Sequence, residues 1–273
     1  MYQPQVQKYF PSPQLRDLVD FYLLVELPMT DLPYFYSPAT YRNILSFRCE
    51  DDMTIEYKNA HSIPCQEISL TGSSDSVYYV KSTSSCLKLI LVHFSAYGAS
   101  SLFRINQSQF LNSSKDLEDI IPYSKRMDLK DRILVSSSDL EKISHIEEFL
   151  IQFLPGKMHS YQVAYIQEVL HLLHLKPEMN VRELAFQTKI SEVHLRRLFN
   201  QHIGLSPKKY LALNRFNKVF LSVLRGQKLD RHPYHDDPHL IKEFKRFTGF
   251  TPTSYPSNLI STDHILESIK IRS

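Results

Sequence analysis

The chain has 273 residues, of which 42% are hydrophobic and 22% are charged, and its formal net charge is +3 at pH 7. This is the composition of an ordinary globular protein, and the length suits one or two domains. No apolar run reaches the roughly 18–20 residues that cross a bilayer, and the N-terminus has no signal-peptide core. We therefore expect a cytoplasmic protein that does not contact a membrane.

The chain contains three cysteines, Cys49, Cys65 and Cys86, all in its first third and without CxxC spacing. An odd number of widely spaced cysteines argues against a disulfide framework or a zinc finger. We expect reduced thiols, and the residues indicate neither a metal nor another cofactor.

Charge is distributed unevenly along the chain. From Lys176 to the end there are 17 Lys and Arg against 9 Asp and Glu, whereas the preceding residues have 15 against 20. A basic C-terminal part beside an acidic N-terminal part indicates that only the former meets a polyanion.

The first hundred residues contain short runs rich in β-branched and aromatic residues, separated by turn sequences such as "GSSDS" and "STSS". This spacing predicts an antiparallel barrel or sandwich. The predicted strands are 21–27, 43–49, 53–58, 66–72, 77–82 and 87–94. The many Tyr and Phe residues here either line a ligand pocket or fill an apolar core.

Two helices are predicted to follow. Ser138 and Glu141 form an S-x-x-E capping box that opens a helix over 139–154, and a second, apolar helix covers 160–175 before Pro177. Their Ile, Val and Leu residues either seal the N-terminal domain or form a homodimer interface.

A repeated pattern occupies the basic part of the chain. "HLRRLFNQHIGLSPKKY" at 194–210 returns as "HLIKEFKRFTGFTPTSY" at 239–255, with His, Leu, Phe, Gly, Pro and Tyr at matching places. Each Gly ends a helix, and each Ser-Pro or Thr-Pro predicts the start of the next. With a preceding short helix over 180–189, the first copy is typical of a helix-turn-helix.

A helical wheel divides the second helix of each copy into an inner and an outer face. In the first copy, Leu195, Leu198, Phe199 and His202 lie on the inner face. The residues predicted to read DNA bases are Val193, Arg196, Arg197 and Asn200 of the first copy and Ile241 and Lys242 of the second. Arginine and asparagine suit guanine and adenine edges, whereas lysine lacks the fork of arginine. A merely solvated charged face is the alternative.

Other cations of this part are predicted to contact phosphates, which makes binding salt-dependent. They are Lys208, Lys209, Arg215, Lys218, Lys245 and Arg246. The helix over 207–224 between the two copies is long enough to hold two reading heads about one DNA turn apart.

These residues resemble a known family. Positions 176–258 are similar to the DNA-binding domain of the arabinose-regulator (AraC/XylS) family of bacterial transcription factors, most clearly in "FKRFTGFTPTSY". The resemblance implies two helix-turn-helix units bridged by a long helix, each reading a major groove. Residues 10–120 look more loosely like the β-rich N-terminal domain that some members carry.

The sequence departs from this family at 225–240, "RGQKLDRHPYHDDPHL". The stretch is shorter than the family pattern and contains Pro233, which predicts that the helix supporting the second reading helix is one turn long or lost. Its histidines, His232, His235 and His239, are interpreted as parts of a polar surface loop rather than as metal ligands.

We therefore expect an α+β protein of two domains. A β-rich regulatory domain (1–158) with a helical end is followed by a connecting helix (159–175), an all-α DNA-binding domain (176–260) and a tail (261–273). The predicted function is that of a sequence-specific transcriptional regulator that binds double-stranded promoter or operator DNA, with a possible small-molecule effector and homodimer. The alternative is a sensor or protein-interaction module with degenerate DNA binding. No catalytic motif is present, so we do not expect an enzyme.

Overall fold

The computed structural model describes residues 5–29, 34–48, 53–57, 62–118, 120–154, 160–227, 234 and 237–256. The N-terminal part, the β domain, is an antiparallel sandwich of two sheets. Their strand orders are β1-β2-β9-β4-β7-β10 and β3-β8-β5-β6. The strands are β1 (Gln5–Tyr9), β2 (Val19–Pro28), β3 (Phe35–Ser37), β4 (Ile44–Arg48), β5 (Met53–Tyr57), β6 (Ser62–Pro64), β7 (Ile68–Thr71), β8 (Tyr78–Ser82), β9 (Cys86–Phe94) and β10 (Ser114–Asp116).

The helices follow the strands in the chain. They are α1 (Gly98–Phe103), a 3-10 turn (Gln107–Phe110), α2 (Tyr123–Val135), α3 (Asp139–Ile151), α4 (Ser160–Leu175), α5 (Val181–Gln187), α6 (Glu192–His202), α7 (Pro207–Leu224) and α8 (Asp237–Thr248). The prediction of a β-rich domain followed by an all-α domain is confirmed. The sequence predicts either a barrel or a sandwich for the β domain, and the structure has the sandwich.

Strand β2 shows why the sheets form layers. Phe21, Leu23 and Val25 point into the sandwich interior, where they join Ile55 and Val80 of the smaller sheet. Side chains alternate across a strand, so Tyr22 between them faces the other way. Its hydroxyl donates to Glu147 Oε1 of α3 at 3.0 Å. The larger sheet is therefore covered by the smaller sheet on one face and by helices on the other.

Helices α3 and α4, which the sequence predicts either to seal the N-terminal domain or to form a homodimer interface, pack largely within the molecule. Helix α3 buries Ile143, Ile146 and Phe149, and α4 buries Ile166 and Val169. Ser138 is the N-cap of α3, and its Oγ accepts from the Glu141 amide at 3.2 Å. These apolar faces seal the interior.

Most aromatic residues of the β domain fill its core. Tyr22, Tyr36 and Phe94 are at most 1% exposed. The sandwich interior leaves a cavity of about 60 Å³, at which Phe35 and Tyr78 are the aromatic lining residues. Cys65 and Cys86 are free thiols, and Cys49 lies outside the described residues.

One buried cluster continues from the β domain into the C-terminal domain, from Leu15 through Phe103 to Leu195 and Phe244. The two domains therefore share apolar surface. Among the residues that the structure describes, no helix is both long and apolar enough to cross a membrane.

Candidate nucleic-acid interface

Helices α5 and α6 form the first helix-turn-helix, and local hydrogen bonds fix where each begins. Asn180 Oδ1 accepts from the Glu183 amide at 3.0 Å, and Glu183 Oε2 accepts from the Asn180 amide at 3.0 Å. This reciprocal capping box satisfies two amides that the helix leaves unpaired. Ser191 caps α6 by accepting from the His194 amide at 3.2 Å.

Helix α6 buries one face and exposes the other. Leu195, Leu198 and Phe199 are at most 1% exposed, and Leu195 and Phe199 join the shared core. Arg196 and Arg197 are exposed on the opposite side. Neither arginine forms a salt bridge within the described part of the chain. Both guanidinium groups are therefore accessible to a ligand approaching from solvent.

The remaining predicted base-reading residues of α6 differ in exposure. Val193 is 80% exposed at the start of the helix, whereas Asn200 near its end is half-buried. His202, on the inner face, is buried, and its Nδ1 lies 3.2 Å from Ser100 Oγ of the β domain. Burial lowers the pKa of His202 below its ordinary value.

Helix α7 begins as the Ser-Pro pattern predicts. Ser206 Oγ accepts from the Lys209 amide at 3.4 Å, and Pro207 occupies the first turn. Lys208 and Lys218 are exposed on this helix. Two of the four predicted phosphate contacts on α7 are thus directed to solvent.

Two other cations on α7 are engaged in ion pairs. Lys209 Nζ lies 2.5 Å from Asp75 Oδ2 of the β domain. Arg215 lies 3.6 Å from Glu243 Oε1 of α8, and this pair joins the two helices. Burial acts to raise the pKa of Asp75, but hydrogen bonds from Lys209 and Asn112 outweigh it, so the pKa lies below its usual value. Asp75 is therefore ionised at neutral pH.

Helix α8, the second predicted reading helix, rests on α7 through aromatic rings. The Phe216 ring centroid lies 5.5 Å from that of Phe244 and 5.1 Å from that of Phe247. The outer face of α8 carries four residues with predicted roles in DNA contact. Ile241 is 44% exposed, and Lys242, Lys245 and Arg246 are exposed as well.

One prediction around α8 is wrong, and another concerns residues outside the described part of the chain. The helix predicted to start at Pro252 is absent, since residues 252–254 form a turn and no helical residue follows up to 256. Thr251 instead hydrogen-bonds to Ser254, with an Oγ1–Oγ distance of 2.7 Å. This local bond offers the backbone an alternative to a helix. The predicted loss of the supporting helix concerns residues 228–233 and 235–236, which lie outside the described residues.

Of the three histidines within 225–240, the structure describes His239. His232 and His235 lie outside the described residues, and His239 Nε2 lies 3.5 Å from Glu243 Oε1. Within the described ranges, no group of three His, Cys, Asp or Glu residues is placed to hold a metal ion.

The sequence does not predict which residues of the β domain contact α7 and α8. Tyr36 and Ala39 bond to the end of α8, and Asp75 pairs with Lys209. Asp75 lies in "GSSDS", a stretch that the sequence predicts only as a turn. No local pattern marks such contacts, because each partner is more than 130 residues away in the chain.

No family model matches the chain. A helix-turn-helix-type transcriptional regulator of Escherichia coli strain K12, YidL, itself described as uncharacterised, is 30% identical over 105 residues. The match spans 36% of this chain and 35% of that protein, so it covers about a third of each.

Similar solved structures are more distant in sequence. ToxT from Vibrio cholerae, solved with an unsaturated fatty acid bound, is 12% identical, with 95% of this chain and 96% of that chain covered and a TM-score of 0.47. The AraC-like transcriptional activator CuxR is 13% identical, with 80% and 87% covered and a TM-score of 0.28. A helix-turn-helix in the structure and a helix-turn-helix regulator among curated proteins thus agree with the predicted resemblance of positions 176–258 to the AraC/XylS regulators.

Proposed function

We propose that this chain is a sequence-specific DNA-binding transcriptional regulator whose helix α6 enters the major groove. The observation that carries the proposal is the exposure of Arg196 and Arg197 on a helix whose opposite face is buried and supported by α5. A major groove admits one helix, and an arginine fork pairs with the O6 and N7 atoms of guanine. This function requires access to the chromosome, so the cell compartment that we propose is the bacterial cytoplasm.

The other cations have a different role in this proposal. Lys208 and Lys218 of α7 and Lys245 and Arg246 of α8 contact phosphates, which fix the register of the protein without reading sequence. Lys242 and Ile241 of α8 contact a second groove. Lysine is a point charge, so the first unit contributes most of the base specificity.

Selection of bound sequences from a random DNA pool tests the proposal. The wild-type chain should enrich a motif, and Arg197→Ala should relax the preference at one position of it, at a cost of about 1–3 kcal/mol on the preferred sequence. Lys208→Ala is the matched control, since it should weaken binding to preferred and random DNA by the same factor. Equal losses on both DNAs for both variants would contradict this division of roles.

A second function, effector sensing, is favoured by a pocket where the β domain meets α6. Its volume is about 240 Å³. Its lining includes Ser100, Arg104 and Asn106 of the β domain and Gln201 and His202 of α6. We propose that a small polar metabolite binds here and changes the DNA affinity of α6. Thermal-shift screening of the full chain, repeated with Arg104→Ala, measures this; a ligand that stabilises both proteins equally would place its site elsewhere.

A homodimer also remains a proposal. Leu134, Val135 and Leu140 are 55–80% exposed around the α2–α3 turn, and such a patch suits a second copy of the chain. Sedimentation equilibrium of the wild-type chain and of Leu140→Glu measures the association.

A further inference from the structure

The C-terminal end of α8 is capped by the β domain. The last four carbonyl groups of a helix have no amide donor within it. Two carbonyls at this end accept from residues more than 200 positions earlier in the chain. The Ala39 amide donates to Phe247 O at 3.0 Å, and the Tyr36 hydroxyl donates to Thr248 O at 2.6 Å.

This attachment is buried. Tyr36 is 1% exposed and Thr248 is fully buried. The ring of Tyr36 also meets Phe250 and Tyr255, with centroids 6.2 and 6.3 Å away. A buried hydrogen bond that loses its donor leaves a carbonyl without a partner, which is costly. The position of α8 therefore depends on Tyr36.

The first helix-turn-helix is attached to the β domain by other residues. Asp75 binds Lys209 of α7. Gly204, just beyond α6, packs so closely that a Cβ atom there would lie 2.8 Å from Ser73 Oγ. The first unit is thus held in part by the segment Ser73–Asp75, in addition to Ser100 beside His202 and Gln107 beside Gly204.

The two attachment segments are joined to each other. The Thr40 amide donates to Ser74 O at 2.9 Å, and the Ser74 amide donates to Thr40 O at 2.7 Å. This pair is an isolated antiparallel bridge outside the named strands. One end of it leads through Ala39 to α8, and the other leads through Asp75 to α7.

We propose that the Thr40–Ser74 bridge sets the position of the second reading helix relative to the first, and that Tyr36 is the positioning residue for α8. This inference rests on the proposed function. It assigns to the β domain a direct role in specificity, because the spacing of the two half-sites on DNA is fixed by a contact outside the DNA-binding domain. Two recognition helices read a duplex together only when their separation matches the helical repeat.

The test compares wild type with Tyr36→Phe on DNA that carries the selected motif. Four duplexes are used: the intact motif, the motif with its first half-site scrambled, the motif with its second half-site scrambled, and the motif with one base pair inserted between the half-sites. Tyr36→Phe should lose about tenfold in affinity on intact DNA. It should match wild type on DNA without the second half-site, and it should tolerate the insertion better than wild type does.

Tyr79→Phe is the matched control. Its ring lies 5.9 Å from that of Tyr36 on the neighbouring strand, and its hydroxyl forms no hydrogen bond to α8 among the described residues. This variant should behave as wild type on all four duplexes. Equal losses for Tyr36→Phe on every duplex, or a wild-type motif with one half-site only, would overturn the proposal.

Hydrogen exchange of the DNA-free protein separates this inference from the proposed function. In Tyr36→Phe, amides of Asp237–Thr248 should exchange about tenfold faster, while those of Glu192–His202 keep wild-type protection. A random pool that yields no motif would refute the regulator, whereas the exchange result still decides the attachment. Unchanged protection of α8, or the same change in both helices, would refute the attachment.

Discussion

Lys209 lies in the first turn of α7, where a cation can reach a DNA phosphate, and its ammonium group is 2.5 Å from Asp75 Oδ2. Asp75 is held ionised by Lys209 and Asn112, so its pKa is lowered. A carboxylate with a lowered pKa stabilises the fold above its ordinary pKa, and this contribution disappears as the pH falls through the lowered value. At neutral pH the pair is formed, so in the proposed complex Asp75 would compete with a DNA phosphate for Lys209.

Asp75→Asn should release Lys209 to DNA. We expect tighter binding to random-sequence DNA at low salt and a salt dependence steeper by about one unit, because each further phosphate contact adds about 0.9 to the slope. Affinity measured from 50 to 200 mM salt tests this.

Glu67→Gln is the matched control for Asp75→Asn. It removes the same charge from a salt bridge with Lys130 of α2, at 2.7 Å and away from the reading helices. The same change of slope in both variants would mean that net charge alone, rather than release of Lys209, is responsible.

At the scale of elements, the two proposed reading helices, α6 and α8, end alike but lie in different surroundings. Gly204 and Gly249 follow α6 and α8 with φ of 83° and 85°, a conformation that costs other residues about 1–2 kcal/mol. A Cβ at Gly204 would lie 2.7 Å from Gln107 O, whereas at Gly249 it would meet no described atom within 4 Å.

Gly204→Ala should therefore destabilise the protein more than Gly249→Ala does. We expect a loss of about 1–2 kcal/mol for Gly249→Ala from backbone strain alone, and a larger loss for Gly204→Ala, because a backbone carbonyl must move. Urea denaturation of both variants measures the free energies of unfolding. Equal losses would show that the β domain yields to the added methyl group at no cost.

Elements were the part of this fold that the sequence predicted well. The six predicted strands are present as β2, β4, β5, β7, β8 and β9, and the helix boundaries at Ser138, Ser191 and Ser206 match because a cap is a local hydrogen bond. The three-residue strands β3, β6 and β10 were missed, since three residues carry no periodicity, and the five-residue strand β1 was missed as well.

The candidate site was predictable to the same depth. Helical spacing placed Arg196 and Arg197 outward and Leu195 and Phe199 inward, as the structure has them. The half-buried state of Asn200 and the pairing of Lys209 with Asp75 depend on the domain packed behind the helix. Contacts between residues far apart in the chain produce no repeat or spacing in the sequence, so they could not be predicted from it.

At the scale of the whole molecule, His93 gives the β domain a dependence on pH. It is 2% exposed on β9, where its ring stacks on Phe21 with centroids 4.5 Å apart. Its two ring nitrogens find no hydrogen-bond partner in the described part of the chain. Burial, with the charges of Arg42 and Lys8, lowers its pKa to about 3.

Between about pH 6.5 and 3, His93 is therefore protonated in the unfolded chain and neutral in the folded chain. Above that range the free energy of unfolding does not change with His93 protonation. Within the range it decreases by roughly 1.4 kcal/mol for each unit by which the pH falls. His93→Phe should remove this part of the slope in urea denaturation from pH 5 to 8. His174→Ala, at an exposed position of α4, should leave it in place; identical slopes in all three proteins would exclude His93 as the source.

The apolar cluster shared by the two domains, which runs from Leu15 to Phe247, limits how this protein can be rebuilt. A chimaera that joins residues 176–258 to a foreign N-terminal domain would expose the apolar surface that the original β domain had covered, such as the Tyr210 ring beside Tyr41. Such a graft would need a compensating apolar surface on its new neighbour, so the two domains must be redesigned together.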